Sequence, residues 1–191
     1  MLKSFTQAAA DYCAAAKNRT RQSVPRLLIL GILAGMFIAL AGTAASVGGA
    51  LAGKIASAAI FPAGLAMVIL AGSELFTGNC LFLLPLLRGD ITGGRTMGSW
   101  AVVYCGNLIG SIVIAFVVVR CGVLDSIAPA AIATAAAKAS LPFGAAFLRG
   151  VLCNLLVCLA VWMAFCAGSA GGKAISLYGP IFLFVLCGFE H

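Results

Sequence analysis

Charge is what this sequence has least of. Only 9% of its 191 residues are Asp, Glu, Lys or Arg, against about 25% in an ordinary water-soluble domain. That shortage leaves no stretch able to solvate a separate globular unit. Histidine occurs once, at His191. With no metal-ligand spacing and no Ser-His-Asp arrangement beside it, an enzyme would lack its catalytic cluster. Cysteine is plentiful, with eight in the chain, but a pairing pattern is missing: no CxxC occurs and none has a histidine beside it. The cysteines lie scattered through apolar segments, where a thiol behaves as a small apolar side chain. Neither a metal site, a cofactor nor a disulfide framework is expected from them. An early apolar core is also absent, since residues 1–26 are polar, so no secretory signal is expected there.

What the sequence has instead is apolar length. Hydrophobic residues make up 63% of the chain, and its mean hydropathy is +1.14. These values indicate an all-α integral membrane protein, a single transmembrane domain over residues 1–191 whose partner is the lipid bilayer. The length suits five or six spans of about 20 residues each. Apolar runs lie at 27–47, 58–87, 99–119 and 147–168, and a fifth starts near Ala174 and is still running at His191. Small residues recur along the first run (Gly31, Ala34, Gly35, Ala39 and Gly42), the pattern that lets helices approach closely in a membrane. Residues 127–139 are alanine-rich and too short to span.

The net charge of +7 does not indicate nucleic acid, because no basic stripe with interleaved aromatics exists. Five of the twelve cations (Lys3, Lys17, Arg19, Arg21 and Arg26) precede the first run. They mark residues 1–26 as a cytoplasmic segment lying along the inner membrane surface, where a mostly alanine face binds weakly. With that end inside, eight cations fall on inner segments and four (Lys54, Arg120, Lys138 and Arg149) on outer ones. This asymmetry sets the orientation in a cell inner membrane.

Polar groups interrupt the second run at Gly72-Ser73-Glu74-Leu75-Phe76-Thr77-Gly78-Asn79. Loosened backbone at membrane depth survives only where protein or a cavity covers it. An ionisable residue there points to function. The closing residues Gly188-Phe189-Glu190-His191 repeat the theme, and each break follows a proline and an apolar stretch with Gly-x-Glu. Two broken helices running in opposite directions are the trace of an inverted repeat, whose interruptions meet near the midplane. Glu74 and Glu190 are expected to accept hydrogen bonds from backbone N–H groups freed at the breaks. Helix N-termini presented there would favour an anion.

Ala71 through Asn79 resembles the second-helix motif of the formate/nitrite transporter family. Phe147-Leu148-Arg149-Gly150-Val151-Leu152-Cys153-Asn154-Leu155-Leu156-Val157 is similar to its fourth-helix motif, and Gly188-Phe189-Glu190-His191 resembles the start of its fifth-helix signature. The resemblance implies an aquaporin-like bundle of six transmembrane helices, about five of them present here, assembled as a homopentamer with one path per protomer. It implies transport of small monovalent anions such as formate, nitrite or hydrosulfide, often with a proton. On that pattern His191 is the pore histidine and Thr77 its hydrogen-bonding partner. Asn154, Glu190 and Lys138 are polar residues around the path, with Lys138 in the outer vestibule. Phe61, Leu65, Leu75, Phe76 and Phe184 are apolar constrictions.

The physical problem is then an anion passing apolar rings. A bare charge in low dielectric tends to neutralise instead, and a histidine, unperturbed near 6.5, is the side chain best placed to exchange a proton near neutral pH. Lys138, Arg149 and Arg120 are expected to concentrate the anion outside. The nearest rival is an aquaporin-like channel for water or neutral solutes, but the paired Asn-Pro-Ala boxes of that family are missing. A terminus at His191 would leave a carboxylate at mid-membrane depth, several kcal/mol uphill. The sequence thus reads as a fragment, its fifth span continuing and a sixth to follow, and an inactive fragment is the other alternative to transport.

Overall fold

A computed structural model describes residues 2–191. Among them the chain is helical, apart from one isolated bridge between Leu2 and Ala167. In chain order the helices are α1 (Phe5–Arg19), α2 (Val24–Ala52), α3 (Lys54–Ile60), α4 (Pro62–Ala71), α5 (Phe76–Asn79), α6 (Leu83–Leu87), α7 (Gly93–Arg120), α8 (Ala128–Ala139), α9 (Phe143–Cys166) and α10 (Ala170–Cys187). Five segments are long and apolar enough to cross a membrane: α2, α3 with α4, α7, α9 and α10. The short α5 and α6 carry the interrupted second run onward.

Glycine sets the closest packing in the bundle, between α2 and α7. A Cβ on Gly110 would lie 2.1 Å from the Ile32 carbonyl oxygen, and one on Gly35 would lie 2.1 Å from that of Asn107. Gly31 and Gly106 meet in the same way. The small-residue spacing read on the first run is thus answered by Gly106 and Gly110 on α7, as membrane helices without a water-driven attraction require. Further along, α2 continues past residue 47 because Gly48 and Gly49 make room for Ile60 and Ser57 of α3. Pro62 then restarts the helix in its first turn, where its missing N–H leaves no bond unmade.

The core has two parts. Leu65, Val68 and Leu75 pack with Cys153, Val157, Leu177, Ile181 and Phe184 at the centre. Tyr12 and Ala16 of α1 pack with Phe82, Ile91 and Val161 at one end. The second cluster corrects one expectation. The alanine face of α1 is buried against the bundle rather than laid on lipid, with Ala8 and Ala16 at 0% exposure. Small side chains let α1 come close, and the Tyr12 ring fills the space by meeting Phe165 edge-on at 5.0 Å. The phenol of Tyr12 is pushed upward in pKa by burial, whereas Asp11 at the rim is held below the usual carboxylate range by hydrogen bonds from Lys3 and then Gln7.

The alanine-rich stretch forms α8, which buries none of its residues. The fifth span also differs from expectation. It starts at Ala170 rather than near Ala174, where the Ser169 hydroxyl accepts from the Gly172 N–H; its helix breaks after Cys187, where Gly188 turns left-handed at φ 73°, at the break read in the sequence.

Gly110→Ala is expected to cost about 1–3 kcal/mol or more, since the atom it would strike is backbone that cannot swing away. Gly144→Ala, whose Cβ would meet nothing within 4 Å, is the matched control. Thermal melting in detergent compares them. Equal melting temperatures would contradict the packing described.

Candidate transport site

The two breaks have one local geometry. Gly72 sits at φ 71° and Gly188 at φ 73°, a left-handed conformation that only glycine adopts readily. After each, the next N–H reaches five residues back: Ser73 to the Val68 carbonyl and Phe189 to the Phe184 carbonyl, both at 3.0 Å. Each glycine N–H bonds three residues back, Gly72 to Ile69 and Gly188 to Val185. Both are Schellman ends. The Gly-x-Glu correspondence read in the sequence therefore extends to the hydrogen bonds.

Past Gly72 the chain stays open for three residues before α5; the Glu74 N–H reaches the Leu30 carbonyl, and side chains satisfy most of the rest. Asn107, midway along α7, does most of this. Its Oδ1 accepts from the Phe76 N–H at 2.8 Å, while its Nδ2 donates to the carbonyls of Gly31 at 2.8 Å and Glu74 at 2.9 Å. Trp100 donates to the Asn79 carbonyl at 2.9 Å, and Asn154 of α9 donates to the Thr77 carbonyl at 3.0 Å. Sequence reasoning gave Asn107 no role. An amide at the middle of an apolar span, flanked by Gly106 and Gly110, was the available signal. The N–H that opens α5 is taken by Asn107, so it is not offered to an anion as expected.

The glutamates hold the breaks differently from the expectation. Glu74 is 2% exposed, yet its carboxylate accepts from the Asn79 side chain at 2.9 Å and pairs with Arg19 at 3.3 Å. Glu190 pairs with Lys138 and lies 3.8 Å from Arg149. Side chains, not freed backbone N–H groups, take both carboxylates. At the first break the N–H groups of Ser73, Glu74 and Phe76 are already used, by the carbonyls of Val68 and Leu30 and by Asn107. Each break is thus gripped from outside the spans, the first by α1 and the second by α8.

Between the breaks stand Thr77 and His191, with Thr77 Oγ1 3.2 Å from His191 Nε2. The His191 ring stacks on Phe184 at 5.5 Å and meets Phe61 edge-on at 6.1 Å. Phe61 and Phe184 are themselves 5.7 Å apart. Leu65, Leu75 and Phe184 share the central core. Phe76, expected beside Leu75 in the constriction, packs edge-on against Tyr104 at 5.4 Å and Trp100 at 6.3 Å. Its ring backs the loop against α7.

Cavities flank this group. Toward α1, a space of about 110 Å³ is lined by Arg19, Leu65, Ser73, Leu75, Asn79 and Lys173. Toward α8, one of about 530 Å³ is lined by Ser46, Lys54, Ser57, Thr134 and Lys138. Of the cations expected to gather anions, Lys138 and Arg149 already face Glu190, and Arg120 lies over its helix neighbour Phe116 at 5.7 Å.

A family model described as formate/nitrite transporter matches residues 6–191. The chain belongs to the formate/nitrite transporter family. Its membership is supported by curated relatives. It is 37% identical to a probable formate transporter of Methanothermobacter thermautotrophicus, across 99% of this chain and 79% of the relative. It is 36% identical to the transporter YrhG of Bacillus subtilis, across 93% and 71%. Among solved structures, an ion channel of the same family superposes with a TM-score of 0.86 at 29% identity, over 98% of this chain and 79% of that one. A pentameric formate channel with formate bound superposes at 0.77 with 33% identity, over 88% and 70%. The fold is therefore that of the formate/nitrite transporters, an aquaporin-like membrane bundle.

Asn107→Leu keeps the approximate volume but leaves the Phe76 N–H and two carbonyls without their partner. A loss of about 1–3 kcal/mol is expected. It is read as a lower melting temperature in detergent together with faster hydrogen exchange at residues 73–79. Unchanged exchange in that loop would contradict the assignment.

Proposed function

We propose that this protein carries small monovalent anions of the formate, nitrite or hydrosulfide type across the cell inner membrane, one path in each protomer of a homopentamer. The observation that carries this reading is the Thr77–His191 contact, set between two matching helix breaks and walled by Phe61 and Phe184. Relatives named as formate transporters and a pentameric channel with formate bound support the substrate class and the assembly. The chain acts as one transmembrane domain with its N-terminus in the cytoplasm, an orientation supported by the excess of cations on that side.

The mechanism follows from desolvation. An anion entering the space between Phe61, Phe184, Leu65 and Leu75 loses water that apolar walls cannot replace. His191, protonated, gives the anion a proton and is left as neutral imidazole; the neutral acid passes the apolar constrictions, and the imidazole takes up a proton again before the next anion enters. Thr77 orients the imidazole through its hydroxyl, and Asn154 fixes Thr77 by binding the carbonyl of the same residue. Glu74 and Glu190 have a structural part in this cycle. They tie the loops to Arg19 and Asn79 on one side and to Lys138 and Arg149 on the other.

His191→Asn keeps a polar side chain in place and removes the exchangeable proton. In vesicles with an imposed pH gradient, formate uptake by this variant is expected to lose its dependence on the gradient, with the rate falling about tenfold or more, as for loss of a positioned proton donor. Gradient-driven uptake equal to that of the wild type would contradict the proton role.

A further inference from the structure

The chain has only five Asp and Glu side chains, and four of them, all but Asp125, pair with cations. Asp11 takes Lys3, Glu74 takes Arg19, Asp90 takes Arg88, and Glu190 takes both Lys138 and Arg149. Among the described residues, two lysines line cavities beside the site without joining any of these pairs. Lys54 lies in the 530 Å³ cavity toward α8. Its Nζ comes close enough to the second break that a Cβ on Gly188 would lie 3.5 Å from it. Lys173, half-buried, lines the 110 Å³ cavity toward α1. It also lines a neighbouring space of about 400 Å³ that shares Ile69 and Phe165 with the first. Lys173 therefore stands where these two spaces adjoin.

The two lysines occupy related places. Lys54 opens the first broken span and Lys173 lies in the first turn of the second. The spans run in opposite directions, so one lysine faces each mouth. Glu74 offsets the charge of Arg19 and Glu190 offsets one of the two charges of Lys138 and Arg149, whereas an ammonium with no carboxylate partner, in a concave cleft with low-dielectric walls, projects its whole field outward and gathers anions. Lysine also suits a transient contact, as a compact point charge on a flexible stem that does not clamp a carboxylate in two places.

We infer that Lys54 and Lys173 are the anion-capture residues of the two mouths, each serving entry from its own side. The assignment rests on the transport reading above and adds the residues that gather the substrate. The experiment uses right-side-out and inside-out vesicles holding the full chain, with initial formate uptake measured against formate concentration at low and high salt. Lys54→Gln is expected to raise KM about three- to tenfold for entry from one face only, and Lys173→Gln to do so from the opposite face, the size of losing one nearby unit charge in a wet cleft. The maximal rate stays within twofold, the salt dependence of low-concentration uptake flattens, and arginine at either position restores KM. An unchanged KM, an equal rise from both faces, or a fall in maximal rate that arginine does not rescue overturns the inference. Absence of formate flux through the wild-type chain would instead overturn the transport reading, so the two failures are distinguishable.

Discussion

Inside a bilayer, a peptide group that leaves its helix has no water to turn to. Everything distinctive about this molecule answers that constraint. At residues 72–75 the chain unwinds within an apolar run, and it does so again at Gly188, after the apolar helix α10. Each time a left-handed glycine closes the helix with Schellman bonds, and at the first break side chains supply what is still missing. Asn107 alone serves three backbone groups of two segments. The close contact of α2 and α7 matters for the same reason. Only with glycines at 31, 35, 106 and 110 do the helices approach near enough for that amide to reach the loop.

The charges follow the same logic. A carboxylate at that depth is stable only with a partner, and breaking such a pair is costly because a bare charge stays behind. Beside Arg149 of α9, two of the partners come from helices that do not span. Helix α1 ends on Arg19, beside Glu74, and α8 brings Lys138 to Glu190. The peripheral helices are thereby part of the site's frame, and the free cations are left at the mouths.

How much of this could be read in advance depended on whether a signal was local. The spans, the small-residue stripe and the paired Gly-x-Glu breaks are local patterns, and the structure has them at Gly31, Gly35, Gly72 and Gly188. The Thr77–His191 contact crosses 114 positions and was legible only through the resemblance carried by the motifs around it. Partner choice was not legible. Nothing near Glu74 in sequence points to Arg19, because a helix packed under the bundle makes that pairing. Likewise Phe76 sits next to Leu75 and Thr77, yet Leu75 ends the extended loop and Phe76 opens α5, so their side chains face different ways and the Phe76 ring falls on Trp100 and Tyr104. The cations suffered most from sequence counting. Lys138, Arg149 and Lys54 look alike in a tally of outer charges, and only the position of Glu190 separates them.

The central claim is that the two breaks together make one anion site. A structure of the protein in lipid nanodiscs, determined with formate present, tests it most directly. The account predicts anion density between the breaks, within hydrogen-bond reach of Thr77 and His191 and against the rings of Phe61 and Phe184. Density confined to the axis between protomers, or an empty chamber at saturating formate with both breaks intact, would contradict it.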